Sequence, residues 1–182
     1  MHFDSRRLLF VAILLAGCSG EEAPEPSSPP ATAPSTCGDS GYLGAQLTGA
    51  LSADIDWQDR DLLCESMLRP DDRGVRLRFS GEVGGERLAI IIAMPGLEAG
   101  MTGPDVDAVV TVTVEGSGRF FSTPSLGACW ADVSRNEPLD VQSASYVVAG
   151  QLACVNPLGE FNGDAFIEIG DLRFSGIAKW ED

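Results

Sequence analysis

The sequence predicts an all-β fold, an antiparallel β-sandwich or partly open barrel of about eight strands, on three observations. Apolar residues recur at every second position over several separate stretches. Turns bearing glycine or proline divide those stretches, and the four cysteines beyond position 36 form an even set suited to two disulfides.

The longest alternation covers positions 43 to 57, where Leu43, Ala45, Leu47, Gly49, Leu51, Ala53, Ile55 and Trp57 are apolar or small. Successive strand side chains point to opposite faces, so this predicts one long strand with Gln46, Thr48, Ser52, Asp54 and Asp56 turned to water. Positions 59 to 68 carry the single helical signal, with Leu63 and Met67 four apart behind Asp59 as a cap. A turn follows over 69 to 74, around Pro70. Val75, Leu77 and Phe79 then alternate with Arg76, Arg78 and Ser80, which predicts a strand with one buried face.

Positions 88 to 94 are continuously apolar, predicting a central strand buried on both faces and ended by Pro95 and Gly96. Positions 95 to 107 read as the longest loop, and the end loops of a sandwich are where binding concentrates. Val110, Val112 and Val114 alternate with Thr111, Thr113 and Glu115, while Tyr146, Val148 and Leu152 put Cys154 on their inward face. Asn162-Gly163 signals a turn. Positions 165 to 169 and 172 to 180 alternate in opposite phase across Gly170-Asp171, which requires either a two-residue hairpin or a β-bulge. The pentad Leu77-Arg78-Phe79-Ser80-Gly81 recurs as Leu172-Arg173-Phe174-Ser175-Gly176, too short a match to argue duplication.

The amino terminus has a different composition. Arg6 and Arg7 precede a run of apolar or small residues from Leu8 to Gly17, too short to span a bilayer as a helix but suited to a secretory signal. The run ends in Leu15-Ala16-Gly17-Cys18, which resembles the lipobox of bacterial lipoproteins as a class; the resemblance covers residues 1 to 18 alone. It implies a signal peptide of residues 1 to 17 removed on export, and a diacylglyceryl group on the Cys18 thiol that anchors the chain in the cell envelope. Ser19 in place of an aspartate implies sorting to the outer membrane, and Ser5-Arg6-Arg7-Leu8-Leu9-Phe10 is also similar to a twin-arginine export signal. Residues 18 to 36 form a proline-rich segment containing Pro24, Pro26, Pro29, Pro30 and Pro34, with no aliphatic side chain larger than alanine. Such a segment reads as a disordered tether, reaching roughly 55 Å in polyproline II geometry. Residues 37 to 182 remain as a single β-sandwich domain of ordinary size.

With Cys18 taken by lipid, Cys37, Cys64, Cys129 and Cys154 remain in an oxidising compartment. Pairing Cys37 with Cys64 and Cys129 with Cys154 staples neighbouring segments, though the count alone admits the crossed pairings. No Cys-x-x-Cys spacing suggests a metal. Loss of residues 1 to 17 removes Arg6, Arg7 and Asp4 and deepens the formal net charge of −15 by one. That surface repels nucleic acid phosphate and anionic headgroups, which excludes nucleic acid as a partner.

The only histidine, His2, leaves with the signal, removing Ser-His and Cys-His nucleophilic systems and histidine-bearing metal sites from consideration. Asp54 and Asp56 share one strand face, with Asp59 and Asp61 beyond, and are the weak candidates for a carboxylate-dependent hydrolase or for calcium. The Asn162-Gly163-Asp164 turn is a further set of oxygen donors suited to a cation, although turn formation alone accounts for its composition. Trp57 and Trp180 fall in phase with buried neighbours, whereas Trp130 is out of phase with Cys129, Ala131 and Val133 and is the one tryptophan expected to be exposed, beside Phe121, as a glycan platform. No motif calls for a cofactor. The sequence therefore predicts an envelope-anchored, non-catalytic binding domain, held to the membrane by its N-terminal lipid and facing an envelope protein or a glycan. A carbohydrate-binding module or a carboxylate-dependent hydrolase are the alternatives.

Overall fold

Alternating burial becomes a single antiparallel sheet of eleven strands in the computed structural model, which describes residues 37–38, 40–67, 73–140 and 144–180. The signal peptide, Cys18 and the proline-rich segment lie outside the described residues. The chain divides into two units, Met1–Ala33 and Pro34–Asp182, and all described residues belong to the second. The strands are β1 (Tyr42–Gly49), β2 (Ala53–Gln58), β3 (Leu63–Ser66), β4 (Val75–Val83), β5 (Glu86–Met94), β6 (Gly103–Glu115), β7 (Arg119–Ser122), β8 (Cys129–Pro138), β9 (Ser145–Cys154), β10 (Leu158–Glu160) and β11 (Phe166–Lys179). The expected all-β, sandwich-like fold is present, with three strands of three or four residues, β3, β7 and β10, in addition to the longer ones that periodicity marks.

Hydrogen bonding follows the order β2-β1-β11-β10-β7-β6-β5-β4-β3, and β8 and β9 join β6 to β11 by a second route. Two long strands carry this branching. β6 pairs with β8 through its first half and with β7 through its second, and β11 pairs with β10 at its start and with β9 over its second half. A strongly twisted sheet of this many strands does not stay open, and it folds over so that inward faces meet. Phe79 on β4 packs against Phe174 on β11 with ring centroids 6.4 Å apart. Both copies of the repeated pentad therefore meet across the core. On the flank, Trp57 lies against Gly81, where an added Cβ would come within 2.6 Å of the indole, and its Nε1 donates to the Glu82 carbonyl at 3.1 Å. The glycine is a packing requirement: its missing side chain is the space the indole fills.

Four sequence expectations are corrected. Positions 43 to 57 form a hairpin, β1 and β2, and not one strand. Leu43 pairs with Trp57, Ala45 with Ile55 and Leu47 with Ala53, so odd positions face odd positions and the alternation passes through the turn without a phase change. The helical reading of 59 to 68 is replaced by a single 3-10 turn, Asp59–Asp61, and the strand β3; Leu68 lies outside the described residues. Leu62 and Cys64 are buried two apart while Leu63 is exposed, a strand period, because Cys64 is bonded to Cys37 and paired with Phe79. Tertiary pairing overrides a weak local helix signal. β5 is central, between β4 and β6, but Ile91 and Ala93 are only half-buried, so its outer face is not fully covered. Finally, the long loop over 95 to 107 stops at 102, since Gly103 already opens β6 and Val106 is buried. The shortened loop is pinned by Asn136, whose amide donates to the carbonyls of Glu98 and Met101 at 2.8 and 2.9 Å.

Both expected disulfides are present, Cys37–Cys64 and Cys129–Cys154. The crossed pairings are excluded. On the outer face of β3 to β6, Arg78 bridges Glu65 at 2.7 Å and Glu115, and Glu115 also meets Arg87 at 3.0 Å. Another pair ties β7 to β10: Arg119 Nε donates to Glu160 Oε1 at 2.6 Å while its guanidinium sits 4.9 Å over the Phe121 ring.

The hydrogen bond from Arg119 holds the Glu160 carboxyl below the usual carboxylate range against the opposing effect of desolvation, and it raises the Arg119 guanidinium in turn. A carboxylate depressed in the folded state contributes stability that is complete above its unfolded value and lost as pH falls through the folded one. Glu160→Gln is therefore expected to lower stability in denaturant titrations at pH 7. At pH 3 the gap to the parent should narrow, and an equal gap at both values would rule this ion pair out as its source.

Candidate functional site

A cleft lined by exposed polar groups lies on the outer side of β8, β9 and β11, where the first half of β6 joins β8. It encloses about 720 Å³, and Trp130, Asp105, Asp132, Gln151, Asp171 and Arg173 line it with Ala153 and Gly170. Alternation explains the side chains of the middle strands. Cys129, Ala131 and Val133 on β8 and Leu152 on β9 point into the core, so Trp130, Asp132, Gln151 and Ala153 point out.

Register brings them together. Trp130 faces Ala153 across β8 and β9, and the small methyl leaves the indole half-exposed. Asp132, Gln151 and Arg173 form one row across β8, β9 and β11. At the end of that row stands Gly44, where an added Cβ would fall 2.1 Å from the Tyr42 hydroxyl. Lacking one, Gly44 lets the Tyr42 ring lie along the outer face of β1, and Arg173 sits 5.8 Å from the centre of that ring.

Two further carboxylates come from interruptions of the ladder. Between Gly103 and Val106, β6 has one residue more than β8, and between Gly170 and Arg173, β11 has one more than β1. Asp105 and Asp171 occupy these irregularities with φ of 57° and 46°. Aspartate tolerates the left-handed region better than most side chains, and a bulge re-aims the residue it carries. Asp171 thus turns toward the cleft, and the phase flip at Gly170-Asp171 is a bulge within one continuous strand and not a hairpin. The Asp105 amide donates to Asp132 Oδ1 at 3.3 Å, which fixes the Asp132 carboxylate. Gln151 and Asp171 make no side-chain hydrogen bond to another described residue, so their polar atoms are open to a ligand.

The sequence-derived candidates fare differently. Trp130 is half-exposed as expected, whereas Trp57 is buried and Trp180 is half-buried beside Tyr146. Phe121 is not beside Trp130 on the surface: it is fully buried, and its neighbour Phe120 is the exposed member of the pair at 45%. Two consecutive strand residues cannot share a face. Asp54 and Asp56 are exposed on β2, a free edge of the sheet, with Asp54 accepting from Gln46 Nε2 at 3.0 Å. Charges on an edge strand discourage pairing with another chain, and neither residue lines the cleft. The side chain of Asp59 lies outside the described set, and among the described residues no three or more His, Cys, Asp or Glu gather as a metal site. Asn162 adopts φ 60° in the turn between β10 and β11, as the Asn162-Gly163 signal predicts.

Sequence reasoning missed Asp105, Asp132, Gln151, Asp171 and Arg173. The out-of-phase positions beside Ala131 and Leu152 were a usable signal for Asp132 and Gln151, but their meeting with Arg173 depends on β11 pairing with β9. Among the lining residues the only ionisable groups are the three carboxylates and one guanidinium, with Cys154 held in its disulfide. An aromatic face beside free hydrogen-bonding groups is equipped to bind and orient a ligand.

Fold and cleft together define a class, a disulfide-bonded, sandwich-like β module with a ligand-sized depression on one outer face. Comparison with known proteins finds no matching family model, no matching curated protein and no matching solved structure.

Proposed function

We propose that this protein is an envelope lipoprotein, anchored through Cys18 and held out on residues 18 to 36, whose β domain binds a ligand at the membrane surface without turning it over. The observation that carries the binding reading is the half-exposed Trp130 beside unpartnered polar groups of Gln151 and Asp171 in one cleft. Two disulfides suit an exported chain, and the lipobox residues Leu15-Ala16-Gly17-Cys18 support the anchor.

A photo-crosslinking side chain at position 151 in intact cells tests the binding reading. The expected result is a discrete adduct that disappears when Trp130→Ala is combined with it. Labelling no stronger than that from a probe at Glu82, on the opposite layer, would overturn it. The anchor has a separate test: Cys18→Ser should move the processed chain from the membrane pellet to the soluble fraction. Unchanged sedimentation would reject it.

A further inference from the structure

We propose that the Trp130 cleft takes a short pyranose oligosaccharide that carries no anionic groups. The inference rests on the binding reading above and adds the chemistry of the ligand. A pyranose presents one face of C–H groups and a rim of hydroxyls, so its receptor needs a flat apolar surface with hydrogen-bonding groups at the edge. Trp130 supplies the surface, and Ala153 across the ladder does not cover it. The electron-rich face of the indole also attracts the polarised C–H groups of the ring.

The rim is set by register. Asp132, Gln151 and Arg173 stand on three consecutive strands, and strands about 4.8 Å apart spread them over roughly 10 Å, a span suited to a chain of sugars more than to one ring. Their planar groups divide the work: the carboxylate accepts from hydroxyls, the guanidinium donates, and the amide of Gln151 does both. Asp171, aimed by its bulge, adds a second acceptor at the far wall.

Charge decides which glycans are admitted. Asp105, Asp132 and Asp171 outnumber Arg173, which is already engaged with the Tyr42 ring, and the whole chain carries −15. A uronate or phosphorylated sugar entering this cleft meets like charge at short range, whereas a neutral or amine-bearing chain does not.

Calorimetric titration of the full chain in detergent with cellotetraose, a glucosamine tetramer and tetragalacturonate tests this. Saturable binding is expected for the first two, with tetragalacturonate at least tenfold weaker and the glucosamine tetramer losing affinity as salt rises. Gln151→Ala, at an exposed position, should weaken cellotetraose at least threefold with the melting temperature unchanged, and Trp130→Ala should abolish it. Trp130→Phe, which keeps a ring, retains measurable binding if stacking is the mechanism. Tetragalacturonate binding as tightly as cellotetraose would overturn the charge assignment, and no binding of any of the three at 10 mM would sink the glycan itself. In that event a discrete adduct from position 151 in cells would leave the binding reading standing with a different ligand.

Discussion

Phe79→Ala is expected to cost about 3–5 kcal/mol of folding stability, the range for removing a buried aromatic ring. Phe79 is fully buried at the crossing of β4 and β11, where its ring meets Phe174. Two residues along the same strand from Phe174, Gly176 offers the ring only backbone: a Cβ added there would lie 3.0 Å from it, so β11 already approaches as closely as a side-chain-free residue allows. Neighbours that cannot move inward leave the void unfilled, and the cost then includes the cavity as well as lost burial. Urea denaturation at constant slope is the measurement, with Phe79→Leu expected to lose less. A cost below about 1 kcal/mol for the alanine variant would mean that the two layers do not meet at this ring.

Replacing Cys129 and Cys154 together by alanine is expected to cost about 3.5 kcal/mol, since the bond closes a loop with a sequence separation of 25 and thereby restricts the unfolded chain. The effect should reach the cleft as well. Cys129 and Cys154 are directly opposed at the ends of β8 and β9, one residue from the facing pair Trp130 and Ala153. Without the bond those strand ends fray, and the indole loses its fixed orientation. Ligand affinity is expected to fall in the Cys129/Cys154 variant and to stay unchanged when Cys37 and Cys64 are replaced, because that bond staples the start of the domain to β3, away from the cleft. Equal losses of affinity from both double variants would indicate general unfolding and reject the local account.

The strands that the sequence exposed most clearly are those with one wet face. Val75, Leu77 and Phe79, and Val110, Val112 and Val114, are buried as their spacing requires. Where reading failed, the reason was specific. The turn after Gly49 was invisible because pairing of odd with odd positions hides a reversal of direction. The four-residue spacing of Leu63 and Met67 looked helical because nothing local shows that Cys64 is drawn to Cys37. The continuous apolar run of β5 overstated its burial, since Ile91 and Ala93 lie on the outer face, opposite Arg78 and Thr111 and opposite Arg76 and Val109, and stay only half-buried.

For the site, Trp130 was legible as an outward aromatic from phase alone, and Asp54 and Asp56 were legible as outward carboxylates. Phase says which face a residue occupies and nothing about what stands beside it on the next strand. The cleft draws on β6, β8, β9 and β11, and two of its carboxylates sit at bulges whose register is defined only by the partner strand. Composition, period and cysteine count thus determined the fold class, the inward and outward faces and the two-disulfide framework, because those depend on one residue or its near neighbours. Only the tertiary structure decided the folding-over of the sheet through β6 and β11 and the convergence on Trp130, because strand pairing over long separations is settled by the packing of the whole sheet and not by any local preference.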